Sequence, residues 1–573
     1  MPSPPFEEPR PVAAGHFDGE FDEFDDEPYD EDDEPYDEDD EFDEPYDEFD
    51  KFDDEPYDEG DEGEYEDAGD YSAAGTFERA LRLVYDRGPE SVLVGMVGLY
   101  WLIFGFLVYR QQSNFGTFGF DIGIHDQGIW LVSRFKTPFD TVRGLDYFAH
   151  HVDVISLVFV PFYWLGAGPH FLIIAHTLVV AAGAIPLWLL ARDRLQDRWF
   201  ALVPAFAYLM YPAVNWVTWW AYHPDSLSIA PLLFAYWLAV RGKWKWFAVA
   251  AFIALMCKED DALSILMLGL VVAFWLRRAR TDQVPNDRRQ RRLIGLATTA
   301  AGAAWYLLCT RVIIPWRNHG MPPFYNSFFP LLGRTIPGVI YNSMRHPSRV
   351  WHLATLDDRK TYYLQMGAPL AFLPILALPI FLIGGPQFGV DITAQVVQGA
   401  TIKSQYASLV LVGAFLATVE ALAFIKRHWS RVLPVALGVI VACTMWGQLS
   451  WGLSPISTQY HTGIWLAHNS LSTELNTALG IVPRDAGVSV TYYLTPHFTH
   501  RVYVFEFPNP WMSVNYGVNN ARGNPADVQY LVLDRATLGP FEQTLLLQLT
   551  GPGGGFQVVY SLNGIIVARR MSG

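Results

Sequence analysis

The sequence predicts an α-helical polytopic membrane protein with a small α/β domain at its C-terminal end. Three observations carry that expectation. Apolar segments of spanning length recur between residues 91 and 450, in a chain of 573 residues that is 51% hydrophobic and 15% aromatic. Lys and Arg gather in short loops between alternate segments. Residues 453–573 are less apolar and alternate in strand fashion. A spanning helix needs roughly 20 apolar residues. Counting short and re-entrant segments, the pattern gives about 10–12 membrane helices.

The chain divides first by charge. Residues 1–75 hold 35 of the 61 Asp and Glu but only two of the 40 Lys and Arg, Arg10 and Lys51. That segment carries −33 and the rest of the chain +12, so the overall −21 describes a tail. The tail repeats a unit close to Asp-Glu-Pro-Tyr-Asp, with Pro28, Pro35, Pro45 and Pro56. Self-repulsion and proline oppose a packed core, so disorder is expected. Such a tail serves as a solvated spacer or as a docking site for a basic protein partner or cations. Cys257, Cys309 and Cys443 all lie in apolar segments and suggest buried thiols, not a disulfide framework.

Residues 76–452 read as the membrane domain. Clear spanning candidates are 91–109, 170–191, 199–213, 226–240, 293–314, 405–425 and 432–450. Two shorter pieces, 246–257 and 262–277, flank Lys258-Glu259-Asp260-Asp261. The stretch 363–385 is interrupted by Pro369, Pro374 and Pro379, and 152–165 is too short to span easily. The richest basic loops are 192–198, 241–245, 277–292 and 426–431, and such loops stay cytoplasmic. Placing all four inside requires 152–165 to be juxtamembrane or re-entrant within a long first external loop, 110–169. It also requires 363–385 to be a hairpin. The N-terminal tail is then cytoplasmic and residues 453–573 are extracytoplasmic. In that last domain, strands are expected at 488–493, 501–505, 528–533, 557–560 and 565–568, with a turn at Gly551-Pro552-Gly553-Gly554-Gly555.

This topology places the titratable clusters on one face: Asp121, His125 and Asp126; His150, His151 and Asp153; His223 and Asp225; Lys258, Glu259 and Asp260; Arg317 and His319; Lys403 and Gln405. Ionisable groups beside a bilayer are costly and mark functional sites. Asp121 and Asp126 are five residues apart and point from different helix faces, so at most one addresses a reacting centre. The acids and histidines are suitable ligands for a divalent cation neutralising a phosphate, but their spacing matches no zinc pattern. No phosphate loop, serine-hydrolase elbow or nucleic-acid motif is present.

The run Phe120-Asp121-Ile122-Gly123-Ile124-His125-Asp126-Gln127-Gly128-Ile129-Trp130 resembles the opening motif of the polytopic membrane family DUF2079. The resemblance continues through His151, Ala184-Ile185-Pro186-Leu187, Tyr211-Pro212, His223-Pro224, Lys258-Glu259-Asp260, Ser404-Gln405-Tyr406 and Thr495-Pro496-His497 with Arg501. It covers roughly residues 110–535. Gln405 replaces a histidine frequent in the family, and Asp153-Val154 replaces a Ser-Pro pair. No histidine role is therefore carried to position 405.

That family in turn resembles the GT-C membrane glycosyltransferases, which have an outward first helix and an essential acid in a long first external loop. The resemblance implies a GT-C-like fold. It also implies transfer of a sugar from a polyprenyl-phosphate donor to a cell-envelope acceptor at the outer face of the membrane. Asp121 or Asp126 would be the catalytic base. His150, His151, His223, Asp225, Lys258, Glu259, Asp260, Arg317, Gln405 and Tyr406 would line the substrate site. A transporter or flippase of a lipid-linked or anionic solute would instead place charge at the bilayer midplane. An envelope-complex scaffold would work through the acidic tail.

Overall fold

The computed structural model describes residues 73–277, 288–333, 335–396, 399–463, 465, 469–512 and 523–571. The expected disordered tail, residues 1–72 of it, lies outside the described residues. Among those described, five helices are long and apolar enough to cross a membrane: Arg87–Ser113, Pro169–Leu195, Arg288–Arg317, Ala407–His428 and Ser430–Trp451. A sixth candidate, Asp357–Leu370 with Leu373–Phe381, is bent by 82°. The bend falls where Ala371 and Phe372 take φ of 51° and 55°, between Pro369 and Pro374. Proline removes a helix hydrogen bond and crowds the preceding turn, so this stretch cannot run straight.

The shorter apolar helices are Val154–Trp164, Pro224–Val240, Trp244–Leu255 and Asp261–Phe274. At about 1.5 Å per residue, the first covers only half of a roughly 30 Å hydrocarbon core. The expected span 199–213 is corrected. It is two eight-residue helices, Leu202–Leu209 and Pro212–Trp219. Tyr211 is extended at φ −74° and ψ 131°, as the residue before a proline prefers.

The helix Ala407–His428 is the hub of the bundle, buried along nearly its whole length. The basic loops meet at one end. Arg194 donates to Glu420 at 2.6 Å and to the Arg277 carbonyl at 2.5 Å. Lys426 reaches the Leu195 carbonyl, and Arg241 pairs with Asp193 at 3.2 Å. From this end the helix Ala407–His428 runs back to Tyr406, whose ring lies 5.8 Å from the Lys258 ammonium.

Residues 139–146 form a small hairpin, β1 (Phe139–Asp140) with β2 (Leu145–Asp146). The C-terminal sheet contains β3 (Val488–Val490), β4 (Val504–Glu506), β5 (Tyr530–Asp534), β6 (Phe556–Leu562) and β7 (Ile565–Arg570), in spatial order β4-β3-β5-β7-β6. β3 is parallel to β4 and β5, whereas β7 is antiparallel to β5 and β6. Phe115, Ile124, Val142 and Tyr147 of the first loop share a buried cluster with Val488, Val490, Val504 and Val532 of the sheet. The loop carrying the site is thus packed between the membrane bundle and the sheet.

Candidate functional site

The first loop begins with a tight turn, Gly119–Gly123, followed by the helix Ile124–Ser133. Asp121 sits in the turn at φ 67° and ψ −90°, a conformation that a side chain disfavours. Strained backbone of this kind persists only where surrounding contacts enforce it, and it clusters at functional sites. Here the contact is with His223, whose Nε2 lies 3.0 Å from Asp121 Oδ1. Burial works against a charged imidazole, but the Asp121 carboxylate outweighs it and raises the His223 pKa above its usual value. Asp121 is still 7% exposed.

Asp126 is held differently. It is fully buried; Tyr163 donates to Oδ1 at 2.5 Å and Thr499 to Oδ2 at 2.5 Å. His500 Nε2 approaches Oδ2 at 3.2 Å. Both carboxylate oxygens are occupied, and two of the three partners come from the C-terminal domain. Sequence reasoning missed Tyr163, Thr499 and His500. The motif Thr495-Pro496-His497 lay just upstream and was the available signal.

Between the two acids, His125 Nδ1 lies 3.0 Å from the Tyr147 hydroxyl and 3.3 Å from Asp153 Oδ2. Tyr147 donates to Asp153 at 2.5 Å, and so does Ser156 at 2.8 Å, which also meets Tyr222 at 2.7 Å. The rings of His125 and His223 are 6.1 Å apart, joining this network to the Asp121 pair. Gly128 makes room for it. A Cβ there would fall 2.2 Å from the Tyr147 ring.

The second wall comes from the short helices. His151 Nδ1 meets Glu259 Oε1 at 2.8 Å, and the Val152 amide donates to Oε2 at 3.0 Å. Burial, reinforced by Lys258, drives His151 down to about 3, and burial raises Glu259. Lys258 lies 3.2 Å from Asp260 and 3.9 Å from Asp225, over the Tyr406 ring at 5.8 Å. Burial opposes its charge, but Asp260, Asp225 and Glu259 prevail and hold the ammonium pKa well above normal. His150 packs on His151 and Phe324, with ring separations of 4.4 and 5.2 Å.

The structure therefore brings together Asp121, His151, His223, Asp225, Lys258, Glu259, Asp260 and Tyr406. Gln405, next to Tyr406, is buried. Arg317 is engaged elsewhere: its Nε donates to Asp146 at 3.0 Å and its guanidinium lies 5.8 Å from the Phe148 ring. No group of three or more His, Cys, Asp or Glu side chains among the described residues is arranged to hold a metal ion. The assembly offers an aspartate on a strained turn beside an imidazole, and a buried ammonium on the same wall. That combination can accept a proton and neutralise an anion.

The family model described as "Predicted membrane protein (DUF2079)" matches residues 113–567. No curated protein matches the chain. Among solved structures, the crystal structure of ArnT from Cupriavidus metallidurans bound to undecaprenyl phosphate is similar. The identity is 14% over 84% of this chain and 98% of that one, with a TM-score of 0.45.

Proposed function

We propose that this chain, which belongs to the DUF2079 family of predicted membrane proteins, is an integral membrane glycosyltransferase of GT-C type. It transfers a sugar from a polyprenyl-phosphate donor to a cell-envelope acceptor at the outer face of the membrane. The resemblance of the 120–130 run to the DUF2079 opening motif, and of that family's layout to the GT-C enzymes with their first-loop acid, supports this reading. The observation that carries it is the Asp121–His223 pair on a strained turn, close to buried Lys258.

In this reading Asp121 takes the proton of the acceptor hydroxyl as its oxygen attacks the anomeric carbon. The bond from that carbon to the donor phosphate breaks, and the phosphate leaves with the electron pair. Lys258 stabilises the charge that develops on it. His223, 3.0 Å away, keeps Asp121 oriented between turnovers. Asp126, saturated by Tyr163, Thr499 and His500, positions the loop without touching the substrate.

The test is envelope glycan synthesis by cells carrying Asp121→Asn or Asp126→Asn, with membrane insertion checked for each. Asp121→Asn is expected to lose transfer by about 10²–10⁴-fold, the usual worth of a positioned base, with normal insertion. Asp126→Asn is expected to act through protein stability. Normal glycan from well-inserted Asp121→Asn protein would overturn the assignment.

A further inference from the structure

A second cavity lies away from the Asp121–His223–Lys258 wall. It is a half-open space of about 340 Å³ where the end of the first spanning helix and the start of the helix Pro169–Leu195 meet residues 496–501 of the C-terminal domain. Its polar lining consists of Gln112, His170, Arg484, His497, His500 and Arg501, together with Thr499. Gln112 and His170 can each offer a hydrogen-bond donor, Arg484 and Arg501 are cationic, and no acid is among the residues lining the space.

One of these groups is prepared but unused. Gln112 is fully buried, and its Oε1 accepts from Thr117, which fixes the amide orientation. Its Nε2 then finds no acceptor within the protein. Burying an unmade donor costs roughly 1–3 kcal/mol, so such groups are kept where a ligand completes them. The rest is rigidly mounted. Arg501 donates to the carbonyls of Phe498, Pro483 and Ala486, and His170 Nε2 lies 3.1 Å from the Ser113 hydroxyl. Burial lowers Arg501 only to about 10, so it stays cationic at neutral pH.

We infer that this cavity binds the anionic group, phosphate or carboxylate, of a sugar-sized ligand. The volume lies at the small end of the roughly 300–1,000 Å³ found for ligand pockets. Resting on the function proposed above, the ligand is the charged end of the acceptor, seated behind the loop that carries Asp121. Asp126 joins the two regions through His500.

The full chain in lipid nanodiscs is titrated with glucose 1-phosphate, glucuronate, inorganic phosphate and glucose. Saturable binding of glucose 1-phosphate or glucuronate is expected, with no binding of glucose. Arg484→Gln, a change at an exposed position, should weaken that binding at least fivefold, and Gln112→Leu should do the same. Absence of binding, or affinity unchanged in both variants, overturns the inference. Inorganic phosphate binding as tightly as glucose 1-phosphate overturns the sugar component. The same titration on Asp121→Asn separates the two claims. If that variant loses transfer while no anion binds, the cavity assignment fails alone. If anions bind the wild type normally while Asp121→Asn still transfers, the proposed chemistry fails alone.

Discussion

At the scale of residues, two acids that look equivalent in the sequence are given different work by their partners. Asp126 is sealed by three partners, whereas Asp121 has His223 and remains partly open. The His223 shift makes a pH prediction. A histidine whose folded pKa is raised contributes stability that is fully present below its unfolded value, 6.5, and is lost as pH rises through the folded value. The melting-temperature advantage of the wild type over His223→Gln should therefore be largest below pH 6.5 and shrink above it. An advantage that grows with pH would exclude the imidazolium–carboxylate pair. The sequence revealed Asp121, His223 and Lys258, because charge flanking apolar runs is conspicuous. It concealed the pairing of His125 with Tyr147 and Asp153, since a buried tyrosine among aromatic residues carries no signal of what its hydroxyl meets.

At the scale of elements, composition revealed the long helices and the gathering of the basic loops, because apolar runs and charge obey the bilayer directly. Breaks within apolar runs were less legible. The split at Tyr211 follows from one proline, and the 82° bend from residues forced to positive φ between two others. Close helix packing was equally hidden. Asp261–Phe274 and Arg288–Leu308 approach so tightly that a Cβ on Gly295 would lie 2.6 Å from the Ala273 amide nitrogen and the Gly269 carbonyl oxygen. Membrane helices use small residues for such contacts. Gly295→Leu must push this pair apart around Gly269 and Ala273. Overpacking costs typically about 1–3 kcal/mol, and backbone contact this close places the change at the upper end. Thermal unfolding in detergent should show a clear drop for Gly295→Leu. Gly438→Ala, where a Cβ meets nothing within 4 Å, should leave it unchanged.

At the scale of the whole molecule, the membrane bundle and the C-terminal sheet are joined by polar ties that no local pattern announces. Gln127 donates to the carbonyls of Arg501 and Val502 at 3.2 and 3.1 Å. Thr141 donates to the Val504 carbonyl at 2.7 Å and accepts from the Val504 amide at 2.8 Å. Thr499 closes on Asp126. All connect residues more than 360 positions apart, so the sequence could suggest each domain but not their seam. Because these groups are buried, removing one leaves its partner unmade, and the loss exceeds that of an exposed contact. Thr499→Val keeps the shape but deprives the Asp126 carboxylate of a hydroxyl, and should cost about 1–3 kcal/mol. Asp126→Asn should cost a similar amount. If the two act through one contact, the double variant will be less destabilised than the sum of the singles, by about 0.5–3 kcal/mol. Additive losses would mean that Asp126 does not hold the sheet domain through Thr499. The same variants bear on function. A loosened seam leaves the Asp121 turn without its backing, so transfer should fall in proportion to the fraction of chains whose C-terminal domain becomes open to protease. Protease resistance combined with lost transfer would place Thr499 in the chemistry itself.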